Sequence, residues 1–316
     1  MKWVKKGLIF KTENNFEWMR THAQVPIADK IDEERLRIYF GTRDSQNRTL
    51  TTFIEVEANN PQNILYIHDK PILSLGRLGC FDDSGVMPSD IVNYNSKKYF
   101  YYLGWNVGST VRYRVANGLA ISEDNGNTFK RVSEGPIMDR SILDPIAVST
   151  QSVLVEKGIW KTWYMSYVKW EIVNGIPEPF YHIKYAESKD EINWDRKGIV
   201  CIDFKSNKEA GISRPFVLKE KGVYKMWYSY RTAVNYRSDK SESYKIGYAE
   251  SIDGIKWIRK DDEVGIDVSE KGWDSEMIAY AYIYEHKGKK YMLYNGNGFG
   301  KSGFGYAILD ETKKVF

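Results

Sequence analysis

The sequence predicts an all-β chain: a five-bladed β-propeller with about four antiparallel strands per blade, residues 1–316 forming a single domain. Three observations predict it. Five segments share one strand-like pattern: Tyr39-Phe40-Gly41-Thr42-Arg43, Tyr101-Tyr102-Leu103-Gly104-Trp105, Trp163-Tyr164-Met165-Ser166-Tyr167, Trp227-Tyr228-Ser229-Tyr230-Arg231 and Leu293-Tyr294-Asn295-Gly296-Asn297. They begin 62, 62, 64 and 66 positions apart, and units of that size account for the 316 residues. Helical periodicity is nowhere sustained beyond about two turns. Aromatic residues make up 15% of the chain, and they suit pleated, half-buried surfaces. Most should fill space between sheets. The remainder can bind sugars, because a ring face packs on C–H groups while a polar tip stays wet.

The elements of each unit follow in order. Apolar runs such as Val86-Met87, Ile146-Ala147-Val148, Phe216-Val217-Leu218 and Ile278-Ala279-Tyr280 lie 12 or 13 positions ahead of the core segments and mark a first strand. The core segment is the second. Residues 118–126, 183–190 and 246–254 alternate at period two and run into Asp- or Gly-bearing turns, which marks a third strand. Phe129, Trp194 and Trp257 then open the fourth. Phe304-Gly305-Tyr306-Ala307-Ile308 repeats the third strand, and the end of the chain is expected to pair with residues 3–10 and seal the ring.

Composition excludes several classes. Lys+Arg 46 against Asp+Glu 42 gives +4, too weak and too evenly spread for a nucleic-acid partner. No apolar run is long enough to span a membrane. Met1-Lys2-Trp3-Val4-Lys5-Lys6 does not open a signal peptide, so Cys80 and Cys201 are expected to be reduced thiols in the cytoplasm. Zinc-type spacing, a P-loop and a dinucleotide glycine fingerprint are absent, so no cofactor or resident metal is expected.

In a propeller the first strand of each blade lines the central channel. Inner strands are expected to begin near Arg20, Asp82, Asp144, Glu209 and Asp274, and four of these five are acids. Carboxyl groups crowded round one funnel raise one another's pKa, so an acid and a carboxylate coexist at neutral pH. The alternative is structural: acids at strand starts bond turn N–H groups. Asp274 and Glu276, at i and i+2, share one face. Asp82 and Asp83 lie on the second blade, where Gly85 allows close ligand approach. His22 holds the matching place on the first blade and titrates near neutrality. Arg43, Trp105, Tyr167, Arg231 and Asn297 are equivalent fifth positions of the core segments. Arg43, Arg231 and Arg214 are candidates to bind carboxylate or phosphate.

The repeat and its acids resemble the five-bladed glycoside hydrolase superfamily of families 32, 43, 62, 68 and 117. The closer match is to glycosylase-like proteins of bacterial surface-polysaccharide synthesis. The carrying segments are residues 21–26, 37–44, 81–86, Tyr102-Leu103-Gly104-Trp105-Asn106, Gly272-Trp273-Asp274-Ser275-Glu276-Met277 and residues 291–298, which include Asn295. The resemblance implies carboxylate chemistry in the funnel. The chain departs from it at the first blade, where Arg20-Thr21-His22-Ala23-Gln24 offers no acid.

Two readings follow. In the first, the chain is an enzyme acting on a glycosyl bond or an activated, nucleotide-linked sugar. Asp274 or Glu276 faces Asp82 or Asp83 across His22, with Asp144 and Glu209 as secondary carboxylates. Arg43, Arg214, Arg231, Trp105, Asn106 and Asn295 hold the substrate. In the second, the funnel binds a sugar or sugar nucleotide without turning it over.

Overall fold

The computed structural model describes residues 1–310; positions 311–316 of the expected domain lie outside them. The first strand, β1 (Trp3–Phe10), is followed by β2 (Thr21–Lys30), β3 (Arg35–Arg43), β4 (Thr49–Glu57) and β5 (Asn60–Ile67). Next come β6 (Gly85–Tyr94), β7 (Lys97–Val107), β8 (Tyr113–Ser122) and β9 (Lys130–Arg131). The third group is β10 (Val148–Glu156), β11 (Ile159–Val173), β12 (Ile176–Ser188) and β13 (Trp194–Ile202). The fourth is β14 (Glu209–Glu220), β15 (Val223–Thr232), β16 (Lys245–Ser251) and β17 (Ile258–Arg259). The chain ends with β18 (Ala279–His286), β19 (Lys289–Asn295) and β20 (Phe304–Leu309). Helical structure among the described residues is one 3-10 turn, Asp261–Glu263, and the single turn Asn297–Gly300.

Within each group consecutive strands pair antiparallel. The last group takes its fourth strand from the other end of the chain: β1 pairs antiparallel with β20, Trp3 opposite Leu309 and Phe10 opposite Phe304. Single parallel bridges, Thr49 to Gly85 and Tyr181 to Gly211, join neighbouring groups. The core segments fall on the second strands β3, β7, β11, β15 and β19, as their period-two pattern predicts, except that the last runs past the end of β19 into the turn at Asn297. First strands start at Thr21, Gly85, Val148, Glu209 and Ala279, so Asp82, Asp144 and Asp274 belong to the lead-in turns rather than to strands.

Large rings fill the space between groups. Trp160 of β11 packs edge-on against Tyr94, Tyr99 and Tyr101 of the preceding group, and Phe216 packs on Tyr282 of the following one at 4.4 Å. Trp163 donates its indole N–H to the carbonyl of Gly254 at 2.7 Å. Gly254 itself takes a φ of 77°, and a Cβ there would stand 3.1 Å from the Trp163 ring. The Ser-x-Asp turns ahead of β9, β13 and β17 close on themselves: Ser122, Ser188 and Ser251 donate to Asp124, Asp190 and Asp253.

The first strands contact one another in a cyclic order, β2, β6, β10, β14, β18 and back to β2. Each carries a register shift, between Gln24 and Ile27, Pro88 and Asp90, Ser149 and Gln151, Ser213 and Phe216, and Ala279 and Tyr282. At three of these bulges a residue other than glycine takes left-handed φ: Val25 at 54°, Arg214 at 49° and Tyr280 at 62°. Such backbone persists where surroundings over-determine it. Side chains from neighbouring strands do so here. Ser229 Oγ accepts the Tyr280 N–H at 2.8 Å, and Ser152 Oγ accepts the Val217 N–H at 3.0 Å.

Candidate functional site

The bulges turn side chains of all the first strands into one cavity of about 530 Å³. Val25, Met87, Thr150, Arg214 and Tyr280 line it, one from each of β2, β6, β10, β14 and β18. Its wall is aromatic: Trp105, Tyr113, Tyr167, Tyr181, Tyr236, Tyr244 and Phe299. It is also cationic, with Arg43, Arg112, Arg214 and Arg237, and among the described residues no aspartate or glutamate lines it. Two smaller cavities abut it. One shares Tyr113, Val115 and Tyr167 and adds Asn106, Arg114, Asp139 and Arg140. The other shares Tyr236, Arg237 and Phe299 and adds Lys240 and Glu276.

Trp105 reaches the wall because Gly85 makes room for it; a Cβ at Gly85 would lie 1.8 Å from the indole nitrogen. That nitrogen donates to Thr49 Oγ1 at 3.2 Å. The glycine expected to admit a ligand thus admits a tryptophan. Arg112 and Arg237 are fixed by one buried acid, Glu178, which accepts from both and from the Tyr236 hydroxyl. Burial works against ionisation of Glu178, yet its bonds to Arg237 and Tyr236 and the Arg112 charge hold its pKa below the usual range. Arg231 sits behind the wall. Its Nη2 donates to the Pro179 carbonyl at 2.8 Å, its Nε to the Tyr181 and Tyr244 hydroxyls, and its guanidinium lies 3.8 Å over the Tyr236 ring. It braces the tyrosines and does not line the cavity.

The acids predicted for the funnel are engaged elsewhere. Asp82, 1% exposed, accepts from Tyr102 of β7 and Arg131 of β9. Asp144 accepts from Tyr164, Ser166, Lys184 and Arg196; burial raises its pKa, but Ser166, Lys184 and Arg196 together hold it low. Glu209 takes a forked pair from Arg259 at 2.8 and 3.0 Å. Asp274 accepts from Tyr294 and from Lys5 of β1. Each acid therefore ties the lead-in of a first strand to the fourth strand of its own group. A charge so buried needs an opposite one, and each outer strand supplies it. The acids recur in register because the groups repeat.

The remaining candidates are dispersed. Asp83 accepts from Gly79 N and Ser84 Oγ within its turn. Glu276 is exposed and lines the side cavity beside Arg237. His22, at φ 62°, lines none of these cavities; burial, then Arg43 and Lys301, push its pKa down to about 4. Asn106 lines the neighbouring cavity only, and Asn295 is wholly buried in backbone hydrogen bonds. Among the described residues no group of three or more His, Cys, Asp or Glu could hold a metal ion. Sequence reasoning missed Glu178, Arg112 and Arg237, which lie outside the five core segments, and Thr150 and Ser213, which lie on the repeated first strands but were not read as site residues.

No family model matches the chain. Uncharacterized protein Rv1502 of Mycobacterium tuberculosis is 37% identical over 311 residues, covering 98% of this chain and 100% of the relative. The chain belongs to the family of that mycobacterial protein. Among solved structures, a thermostable family-43 glycoside hydrolase matches with a TM-score of 0.68 at 18% identity, over 94% of this chain and 91% of its own. A structure described under the GH130 family of mannoside phosphorylases, which contains glycoside hydrolases that target β-1,2 mannosidic linkages in Candida mannan, matches with a TM-score of 0.71 at 13% identity, over 99% and 95%. At such identities the likeness is one of fold: this member of the Rv1502 family has the β-propeller fold of glycoside hydrolases.

Proposed function

We propose that the chain is a carbohydrate-active protein: five blades circle the cavity, and the cavity takes up a glycosyl unit or a nucleotide-linked sugar. The observation that carries this reading is the wall itself. Trp105, Tyr113, Tyr167, Tyr181, Tyr236, Tyr244 and Tyr280 converge on a concave space large enough for a sugar and its substituent. Such rings stack on sugar C–H faces and offer hydroxyls to the sugar's own. The fold likeness to glycoside hydrolases supports the same reading. Binding is the act this wall supports best, because it offers no carboxylate pair of the sort that cleaves glycosides.

One observation favours turnover as a second reading. Glu276 lines the side cavity that shares Arg237 with the main one, so an acid or base can approach a substrate spanning both. Saturation-transfer NMR against neutral glycans and nucleotide sugars tests the first reading. Expected is contact with the sugar protons, lost in Trp105→Ala and Tyr236→Ala; no contact from any sugar would refute it. Incubation with the sugars that bind tests the second. Product should form with the parent and fall by about two decades or more in Glu276→Gln.

A further inference from the structure

One side chain in the cavity wall carries a charge with almost no hydrogen-bond partner in the protein, although the Tyr282 ring lies 5.5 Å from its guanidinium. Arg214 is 1% exposed. Its Nε and Nη2 have no hydrogen-bond partner in the protein, and Nη1 reaches only the Pro215 carbonyl at 3.4 Å. Buried charged donors left unpaired are costly, and this one is held at a left-handed φ that an arginine rarely adopts. Its neighbours in the wall repeat the pattern. Thr150 Oγ1, Ser213 Oγ and Arg43 Nε are buried and likewise unpartnered. The nearby acid, Asp90, attracts Arg214 but accepts no hydrogen bond from it. Its carboxylate accepts from Ile91 N, Ser152 Oγ and Val153 N. Arg112 and Arg237 differ, since both are paired with Glu178.

We propose that Arg214, Arg43, Thr150 and Ser213 form a subsite for an oxyanion, a carboxylate or phosphate group carried by the ligand. Nε and Nη2 make one edge of the guanidinium and match two oxygens of such a group. The hydroxyls of Thr150 and Ser213 supply further donors from the adjoining strands β10 and β14. Arg214 lines the cavity from the bulge between Ser213 and Phe216. The idea that the anion belongs to a sugar rests on the function proposed above; the subsite itself does not.

Calorimetric titration at low salt tests it, using inorganic phosphate, acetate, glucose 1-phosphate, glucuronate and glucose on the full chain. Expected is binding of phosphate or acetate that weakens at least about tenfold in Arg214→Met and measurably in Thr150→Val and Arg43→Met. The two single-site neighbours keep the result readable if Arg214→Met fails to fold. A preference for phosphate and glucose 1-phosphate assigns a phosphate ligand, and one for acetate and glucuronate a carboxylate. Anion binding lost in the variants but unimproved by any attached sugar keeps the subsite and removes the sugar reading. Glucose bound as tightly as its charged forms and unaffected by the variants removes the subsite and keeps the sugar reading. Failure of every anion to bind, or equal binding by parent and variants, overturns the subsite.

Discussion

The side-chain carbonyl of Asn295 accepts the backbone N–H of Val25 at 2.6 Å, while its amide donates to the Ala23 carbonyl at 2.8 Å. One residue of β19 thus satisfies both backbone groups exposed by the bulge in β2. This joins the last group of strands to the first, and it explains why a polar residue expected to hold substrate is wholly buried.

Asn295→Ala should therefore act on stability. It leaves a buried N–H and a buried C=O without partners, at a cost of about 1–3 kcal/mol for each group. Chemical denaturation should show a lower midpoint with an unchanged slope.

The acid clamps make an equally direct prediction. Arg131→Met strands the Asp82 carboxylate in a site 1% exposed and should cost about 3–5 kcal/mol. Arg77→Met removes an exposed pair with Glu134 and should cost about 1 kcal/mol or less. Both values come from urea denaturation at neutral pH. Equal effects would mean that the clamps are not what the burial of Asp82 implies.

Asp90 gives stability a slope in pH. Burial pushes its carboxyl up to about 6, against the pull of Arg214 and of its hydrogen bonds. A raised folded value means that its contribution is fully present below the ordinary aspartate pKa and is lost as pH rises through about 6. Relative to Asp90→Asn, the parent should lose about 2 kcal/mol between pH 4 and pH 7. A pH-independent difference would contradict this.

His22 has the opposite sign. With its folded pKa down to about 4, its contribution is present above the ordinary histidine value and is lost as pH falls through 4. Its imidazole resonances should stay fixed from pH 8 to pH 5.5 in an NMR titration, and His22→Gln should unfold less readily in acid. Movement with a midpoint near 6.5 would show the ring to be solvated.

The strands were legible because their signals are local and repeated. Trp163 and Trp227 recur at the unit length, and Asp- or Gly-bearing turns announce the fourth strands β9, β13 and β17. The site was only partly legible. Arg43, Trp105 and Tyr167 were picked out by register, Arg214 by residue type, and all four line the cavity. Asp82 and Asp144 were picked out by the same register and do not, since a periodic pattern cannot tell a group facing the channel from one facing its own sheet. Glu178 joins arginines from a different pair of hairpins, a meeting that leaves no spacing to read. The bulges at Val25, Arg214 and Tyr280 lack the glycine or asparagine that normally betrays left-handed backbone.

The pairing of β1 with β20 has a kinetic consequence. Every other hairpin can close between near neighbours in the chain, but this contact must join Trp3 to Leu309. The loop closed is nearly the whole polypeptide, and its entropy is lost before the contact rewards it. The final group of strands should accordingly be the last to assemble and the first to open. Until β1 docks, the free edge of β20 offers unpaired backbone to any other strand. Refolding should then be slow and sensitive to protein concentration, with swapping of β1 between two molecules as its characteristic error.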